Sequence, residues 1–556
     1  MQAFTRQLGS EAGVQLNPLV DGSEVPSTGN ADQCFGIIMR ATRGRIDRPF
    51  VVSRGDVYKK LGYGEPIRSN ALNLAWVHVV ESLNNGAYLA VVQRLSSESA
   101  KIKYAVMTKE VTTGESEGDP DVVSYEFDVA DTAPTSNFVL AVRHLECFND
   151  GIKLELHAEE TLDSSLKQVG TEVLTLRIKD VKGNTLYEFK GSLNQNAKDD
   201  YGNSYYLPDV VAAQTDNVEV TVGVTGANAV ILPGTAAYGY NDSGFQNWQE
   251  SDTLVCFDEG GFTYTTQDYQ RCRENLQYTQ HDFAYLSSGG TQAPALLAQL
   301  AQLAFDTNKQ LRFDVPGNLT VDAAIAFVNQ LNMGANKTAH LLQAFWTPLK
   351  SDDPTGINPK GYFGSATLNI AFACGRNAIK DAKGFAAKQY PIAGKEWAIN
   401  RTGIVQTAVL RGPDLDKLAK AKINPVIFES YTGGGRYVFY DSLTCAQVDT
   451  SFRKLISVAD MSTSIDDYVT RLAKDYLQLP MAVCIRKLET DMKAHFEGAE
   501  SAGWLQPSND PQMAGRSFVF EVVPSEIKPA DTIIVNYWLR YDGTNRQTFV
   551  TQTITR

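Results

Sequence analysis

Two hydrophobic patterns with different periods divide the chain. Between residues 108 and 279, apolar and polar residues alternate in segments such as VVSYEFDVA, IKLELHAEE and TLYEFKGSL, which are separated by turn clusters such as Asn149-Asp150-Gly151. A period of two is typical of antiparallel strands that bury one face. The pattern therefore predicts a β-sandwich or small barrel, inserted into a fold that begins earlier in the chain.

From residue 280 the period changes, and strands alternate with helices. Leucines recur on one face of a predicted helix over 293–305, and a strand over 311–315 follows. Thr320 is a suitable N-cap for a helix over Val321–Leu331, and a further strand covers 340–346. Alternating strands and helices favour βαβ units and a largely parallel sheet.

The last part of the chain combines helices with strands. A helix is predicted to start near Ser464, with two acidic residues in its first turn, and Pro480 separates it from a second helix. Strands are predicted over 518–523 and 532–541.

The chain ends on the run QTFVTQTITR, in which Phe549, Val550 and Ile554 stand among threonines of high strand propensity. A terminal strand needs a partner edge for its N–H and C=O groups. Two partners remain open at this point. One is the strand over 532–541 of the same subunit, and the other is the sheet of a neighbouring subunit.

The opposite end is polar and rich in glycine, with one short apolar alternation at Val14 and Leu16, which predicts an extended arm. Together these patterns predict six parts. They are an N-terminal arm (1–33), the first part of a core domain (34–107), an inserted β domain (108–279), an α/β domain (280–422), a C-terminal core domain (423–546) and a C-terminal arm strand (547–556).

Composition narrows the function classes. The 556 residues are 43% apolar and 21% charged, which is ordinary for a folded protein of several domains. A net charge of −13 argues against a nucleic-acid binder, which needs a basic face. The seven cysteines are scattered without a CxxC pair, which favours reduced thiols over disulfides or zinc. Neither a membrane span nor a signal peptide is expected, because no long apolar run occurs.

A more specific signal lies between Ala41 and Leu95. This stretch opens with ATRGRIDRPFVVSRGDVYKKLG and closes with LNNGAYLAVVQRL, so that a turn, a Pro-led strand, two helices and an apolar strand ending at Arg94 follow in order. Three later stretches continue the series. They are LLAQLAQLAFDTNKQLRFDVPGNLTVDAAIAFVNQL, then KGFAAKQYPIAGKEWAINRTGI with KINPVIFESYTGGGRYVFYDSLT, then the helical region 464–505 with its β-rich tail.

In order and wording these four stretches resemble contractile tail sheath proteins of phages with contractile tails. The match covers most of the chain outside 108–279. Two departures stand out. Gly44-Arg45 occupies the place of a usual Gly-Pro, and Asp441-Ser442-Leu443-Thr444 lacks the usual Arg before Thr.

The resemblance implies an α+β multidomain fold. Its discontinuous α/β core would combine a subtilisin-like, non-catalytic parallel sheet with a C-terminal α+β core domain. The inserted antiparallel β domain would face outward, and extended N- and C-terminal arms would join the sheets of neighbouring subunits.

The same resemblance implies an assembly and its partners. Hexameric rings would stack around a tail tube, and contraction would drive the tube through the host envelope for genome ejection. The partners would be other copies of the chain, the tail tube protein, and baseplate and tail terminator proteins. No cofactor, nucleic acid or membrane insertion is expected. The protein would lie in the virion tail, and in the host cytoplasm during assembly.

Two groups of residues are predicted to make these contacts. The inter-subunit arm contacts are Val14, Leu16, Phe549, Val550 and Ile554. The tube-facing surface is a charged helical face formed by Arg471, Lys474, Arg486, Lys487 and Lys493, for which a solvated face is the alternative interpretation.

Two other function classes remain open. One is a different structural or adhesion component of a virion, such as a capsid or baseplate protein. The other is a hydrolase on the α/β core, because Asp314, His340 and Ser365 occur in subtilisin's chain order. Ser365 follows His340 too closely to open the long central helix of such proteases, so no catalytic residue and no enzyme activity is predicted.

Metal and phosphate sites receive little support from the sequence. Glu155, His157 and Glu159 share one face of a predicted strand, where solvated side chains are the simpler interpretation. The GGGR turn after residue 432 lacks the GxxxxGK[ST] pattern of a phosphate-binding loop.

Overall fold

A computed structural model describes residues 28–112, 122–158, 161–162, 168–169, 174–198, 201–223, 249–335 and 337–553. The strands of this part of the chain are β1 (Cys34–Met39), β2 (Phe50–Val52), β3 (Leu89–Arg94), β4 (Lys101–Ile102), β5 (Tyr104–Thr112), β6 (Val122–Ala130), β7 (Leu140–His144), β8 (Ile152–Ala158), β9 (Thr161–Leu162), β10 (Gln168–Val169), β11 (Leu174–Asp180), β12 (Thr185–Gly191), β13 (Val218–Val222), β14 (Gln249–Glu250), β15 (Phe257–Asp258), β16 (Tyr285–Ser287), β17 (Gln310–Val315), β18 (Leu342–Trp346), β19 (Leu349–Ser351), β20 (Gly361–Tyr362), β21 (Val405–Gln406), β22 (Ile423–Tyr431), β23 (Gly434–Phe439), β24 (Phe518–Pro524) and β25 (Ile533–Leu539).

The helices in the same ranges are α1 (Val57–Leu61), α2 (Leu74–Asn84), α3 (Leu207–Gln214), α4 (Thr266–Gln277), α5 (Pro294–Thr307), α6 (Val321–Leu331), α7 (Ala366–Ala378), α8 (Gly412–Lys420), α9 (Ile456–Asp475) and α10 (Met481–Ser501). Short 3-10 helices cover Thr28–Gln33, Ala71–Asn73, Met333–Ala335, Ala339–Leu341, Phe452–Lys454 and Pro511–Met513. Within these ranges, no helix is both long enough and apolar enough to cross a membrane.

The largest sheet has eight strands in the order β2-β3-β1-β16-β17-β18-β22-β23. Its inner neighbours, from β3 to β22, pair in parallel, and β2 and β23 pair antiparallel at the two edges. The prediction of a mixed α+β fold with a largely parallel sheet is confirmed. Three separate stretches of the chain supply its strands, and β22 extends the sheet beyond residue 422.

Helices cover both faces of this sheet. In β1, Phe35 and Ile37 contact one core, which includes residues of α2 and α7. Ile38 of the same strand contacts the opposite core, which includes residues of α4 and α5. Because the inner strands bury both faces, they read as continuous apolar runs.

Two four-stranded antiparallel sheets, β12-β11-β8-β14 and β13-β7-β5-β6, are formed by strands between residues 104 and 250. Leu154, Leu176 and Phe189 of the first sheet and Val142 and Val220 of the second share one apolar core. The antiparallel strands that the alternating pattern predicts are therefore present, in two sheets that share a core. Helix α4 packs against α5 and β3, and so contacts the large sheet.

One predicted helix start was wrong. The helix expected from Ser464 begins at Ile456, and Ser464 lies inside it, with its hydroxyl accepting a hydrogen bond from Nζ of Lys388 at 3.0 Å. The first turns of α9 include the charged residue Asp460, which is buried. A buried charge interrupts the apolar pattern, so the local sequence did not show that the helix continues there.

The seven cysteines are free and buried. Burial raises the pKa of Cys34, Cys147, Cys256 and Cys445 to about 12. The thiolate is the nucleophile, and its fraction falls about tenfold for each unit of raised pKa. We expect iodoacetamide at pH 8 to alkylate the native thiols at least about 100-fold more slowly than those of urea-unfolded protein, as counted by mass spectrometry. A cysteine that reacts equally fast in both states would contradict this burial.

Candidate assembly interface

The C-terminal part of the chain forms a two-stranded ribbon on a helical pair. Strands β24 and β25 pair antiparallel along their full length. On the inner face, the rings of Phe518, Phe520 and Tyr537 lie 5.5, 5.7 and 5.9 Å from the ring of Phe496 in α10. A two-stranded ribbon is marginal by itself in water, so this apolar contact with the helices stabilises it.

The outer face of the ribbon is open and carries two apolar pairs, which flank the hydrogen-bonded polar pair Glu521 and Asn536. Val519 lies opposite Trp538, and Val523 lies opposite Ile534. Trp538 is 45% exposed. In the described chain no third strand pairs with β24 or β25. Edge strands present unpaired N–H and C=O groups, so the ribbon has two edges and a partly apolar face that an extended segment can join.

The chain beyond the ribbon is the complementary feature. Residues 547–553 form no strand, and their hydrogen bonds within the described ranges are confined to the pair Thr548 and Asn545. Phe549 is 91% exposed and Val550 is 88% exposed. A segment of high strand propensity with two apolar side chains is therefore left without a partner edge among the described residues of its own subunit.

Of the two partners considered for this run, the subunit's own strand is not the one used by residues 547–553. Strand β25 pairs with β24 along one edge, and residues 547–553 form no strand along the other. Ile554, Val14 and Leu16 lie outside the described residues, so the predicted arm contacts at these positions stay predictions.

At the other end, the first described residues form the 3-10 helix Thr28–Gln33. The Asp32 carboxylate lies 3.6 Å from Nζ of Lys380 and 3.8 Å from Nζ of Lys388. Because Lys388 also donates to Ser464 of α9, the chain enters the fold beside that helix.

The stretch from Ala41 to Leu95 forms the joint between the large sheet and the antiparallel sheets. At the end of β3, the buried Arg94 donates to the carbonyl oxygens of Gly44 and Cys147, at 3.0 and 2.5 Å. It also lies 3.3 Å from the carboxylate of Glu259. This buried arginine joins three stretches that are far apart in the sequence.

The departure at Gly44-Arg45 has a physical reason. Gly44 has φ +116, and a Cβ there would lie 2.3 Å from Cζ of Phe50. Nη1 of Arg45 donates to the carbonyl oxygen of Asp216 at 2.6 Å and to Oδ1 of Asn217 at 3.0 Å. A proline would make neither bond. Sequence reasoning missed this role because the partners lie far along the chain.

A buried charge cluster fixes α9 to the large sheet. Asp460 accepts from Arg312 of β17 at 3.2 Å and from Arg376 of α7 at 2.8 Å. All three side chains are almost fully buried. Burial by itself would raise the pKa of Asp460, but the two guanidinium groups hold that pKa below its ordinary value. This ionic contact joins α9 to both β17 and α7.

The five residues of the predicted tube-facing surface are divided between two helices. Arg471 and Lys474 lie on α9, and Arg486, Lys487 and Lys493 lie on α10. Arg471 donates to Asp282 at 3.0 Å and to Asp467 at 2.8 Å. Its charge is therefore balanced within the subunit, whereas Arg486 and Lys487 are exposed. Contact of this surface with a tube stays a prediction.

The three residues in subtilisin's chain order do not form a catalytic triad. The hydroxyl of Ser365 is fully buried, 2.6 Å from that of Thr347, and an Asp314 oxygen accepts from the Ala366 amide at 2.9 Å. Asp314 lies level with Phe345 in the sheet. Leu342, the first residue of β18, lies about 10 Å before Phe345 along the strand, and His340 precedes Leu342. His340 therefore lies beyond the reach of the other two.

Asp314 makes a pH-dependent contribution to stability. Burial raises the pKa of Asp314 to about 6, above its ordinary value near 3.9. The folded state then binds the proton more tightly, so this contribution is complete below about pH 3.9 and is lost as pH rises through about 6. We expect the unfolding free energy of Asp314→Asn minus that of the wild type to increase by up to about 3 kcal/mol between pH 4 and pH 7.

Urea titrations of both proteins across this pH range measure that difference. Asp416→Asn, at an exposed position, is the control and should give no such slope. A flat difference for Asp314→Asn would show that its carboxyl titrates normally in the folded protein.

The structure describes Glu155 and His157 of the three residues suggested for a metal. Glu155 is buried and pairs with Lys179, and Glu159 lies outside the described residues. Among the residues that the structure describes, no group of three or more His, Cys, Asp or Glu side chains is arranged to hold a metal ion.

Comparison with known proteins finds similarity only in structure. No protein-family model and no curated protein matches the sequence. A chain of the anti-feeding prophage baseplate, 6-fold symmetrised, is 9% identical over 55% of this chain and 77% of its own length, with a TM-score of 0.39. A chain of the PVC sheath complex of an extracellular contractile injection system, in the contracted state, is 12% identical over 55% and 76%, with a TM-score of 0.40. A chain of the anti-feeding prophage baseplate in the contracted state is 13% identical over 51% and 72%, with a TM-score of 0.38.

Proposed function

We propose that this protein is a structural subunit of a contractile sheath, and that its copies polymerise by exchanging strands at their ends. One observation carries the proposal. Among the described residues, the chain presents a ribbon, β24–β25, with two open edges and a strand-forming end, 547–553, with no partner, and these two features do not pair with each other. An edge and a strand that are both unpaired within one subunit are complementary between two copies.

Strand exchange would join the subunits strongly. Each backbone hydrogen bond between copies contributes about 0.5–1.5 kcal/mol net. Phe549 and Val550 would add apolar burial if they packed on the exposed face that contains Trp538. A few such bonds in every subunit make a continuous mesh that is hard to break, while rings joined only by arms can still rotate and slide.

In its finer form, the proposal is a phage tail sheath. Hexameric rings would stack around a tail tube between a baseplate and a terminator, with the antiparallel sheets facing outward. The sequence has no GxxxxGK[ST] loop to couple movement to nucleotide hydrolysis. Contraction would instead release free energy by burying additional surface between subunits. A kinetic barrier would hold the extended lattice until the baseplate triggers it.

Negative-stain electron microscopy of the concentrated protein tests the proposal. We expect rings or tubes, and sedimentation that increases steeply above a critical concentration. A protein that stays monomeric at every concentration and salt condition would contradict the proposal. A discrete small oligomer, with surface binding by the antiparallel sheets, would favour another virion component.

A further inference from the structure

Residues 540–544, which precede the exposed C-terminal segment, make successive contacts with other parts of the subunit. Cζ of Arg540 lies 4.1 Å from the ring centroid of Phe452. The amide of Asp542 donates to the carbonyl oxygen of Trp504 at 2.9 Å. The hydroxyl groups of Thr544 and Ser457 are 3.0 Å apart. These contacts follow each other in chain order.

The series ends at an ion pair. Nε of Arg546 donates to Oδ1 of Asp441 at 2.8 Å, and Nη2 contacts the second carboxylate oxygen. The Asp441 side chain is only 12% exposed and that of Arg546 is 25% exposed. A bidentate arginine–carboxylate pair fixes direction as well as distance. Asp441 opens the Asp441-Ser442-Leu443-Thr444 segment, in which the sequence departs from the family pattern.

Part of the surface that residues 540–546 contact is held in place by buried ion pairs. Ser457 lies in the first turn of α9, one turn before Asp460, which is held by Arg312 of the large sheet and Arg376. The contact of Thr544 is therefore made to a helix that is ionically fixed to the sheet. Beyond Arg546, the described residues 547–553 are exposed, and their hydrogen bonds are confined to the pair Thr548 and Asn545.

We propose that residues 540–546 are an exit clamp, in which the Arg546–Asp441 pair sets the point and direction at which the C-terminal strand leaves the subunit. The proposal rests on the proposed strand exchange for its purpose. Arg546 and Asp441 are positioning residues, since they touch the root of the strand and not its acceptor. A fixed exit lowers the conformational entropy lost when the strand joins a neighbour, so that one acceptor position is favoured over others.

Charge reversal tests the clamp with two readouts. Nitroxide labels are attached at Thr548→Cys, on the C-terminal segment, and at Glu489→Cys, on α10. Pulsed electron paramagnetic resonance then measures the distance between the C-terminal segment and α10. The native thiols do not interfere, because all seven are buried. Labelled protein is diluted with unlabelled protein, so that distances within one subunit are measured. Assembly is followed by sedimentation.

We expect Asp441→Arg and Arg546→Asp each to widen the distance distribution at least about twofold and to lower the assembled fraction at least about tenfold. The double variant, which restores the pair in reverse, should recover both quantities to within about twofold. The matched control reverses the exposed pair Asp416 and Lys420 of α8, 2.7 Å apart, and should change neither. Arg546→Lys keeps the charge without the fork and should give an intermediate width.

Single variants with an unchanged distance distribution, or a double variant without recovery, would overturn the clamp. If the distance distribution widens in the single variants but the wild type forms no assembly, the clamp is supported and strand exchange is contradicted. Failure of the clamp and failure of strand exchange can therefore be told apart. If a single variant unfolds, Arg546→Gln, which removes the pair without a reversed charge, replaces it under the same criteria.

Discussion

Removal of residues 547–556 is expected to leave a folded subunit that no longer assembles. Within the described residues, the hydrogen bonds of 547–553 are confined to the pair Thr548 and Asn545, and these residues are exposed, so the loss of this segment should change the fold little. If four backbone bonds between copies are lost, assembly is weakened by about 2–6 kcal/mol. The critical concentration should therefore rise at least about 30-fold. Sedimentation and thermal unfolding of the truncated protein measure the two effects separately.

A substitution with a matched control separates strand pairing from general surface effects. Phe549→Asp with Val550→Asp should raise the critical concentration to a similar extent. Both side chains are exposed in the isolated subunit, so these substitutions act on contacts between copies and not on the fold. Val409→Asp changes another valine, 82% exposed, and should have no effect on assembly. Normal assembly of the truncated protein would show that the C-terminal run does not join the subunits.

The second large effect concerns the buried charge that fixes α9. Asp460→Asn leaves Arg312 and Arg376 buried without a counter-charge, and removing one partner of such a cluster costs about 3–5 kcal/mol. Because the arginines lower the pKa of Asp460, its contribution is present above the ordinary aspartate pKa and is lost as pH falls through the lowered value. The difference between wild type and variant should therefore be full at pH 7 and shrink in acid.

Urea unfolding followed by tryptophan fluorescence measures this difference, since Trp346 is buried in the large sheet. Asp475→Asn, at an exposed position of the same helix, is the control and should shift stability by less than about 0.5 kcal/mol. Equal stability of wild type and Asp460→Asn would contradict the proposed role of the cluster.

Local signals in the sequence predicted local structure well. The helix Val321–Leu331 has the predicted bounds, because an amphipathic run and the Thr320 side chain, which accepts from the amide of Ala323, both act within a few residues. Pro480 lies between α9 and α10 as predicted, and the strands predicted over 518–523 and 532–541 correspond to β24 and β25. The strand predicted over 340–346 begins at Leu342, after the 3-10 helix Ala339–Leu341.

Features that depend on distant partners were not predicted. The start of α9 was misplaced because the burial of Asp460 requires arginines from two other elements. The reason for Arg45 depends on Asp216 and Asn217, which no short pattern connects to it. The open edges of β24 and β25 follow from topology, which the residues of the two strands do not specify.

The central claim is that the C-terminal strand of each copy is paired within another copy. A cryo-EM reconstruction of the assembled protein, at a resolution that traces strands, measures this directly. We predict that residues 547–556 lie as an added strand beside a sheet of a neighbouring subunit, with Phe549 and Val550 covered. A map in which this segment folds back onto its own subunit, or stays exposed in the assembled particle, would contradict the account.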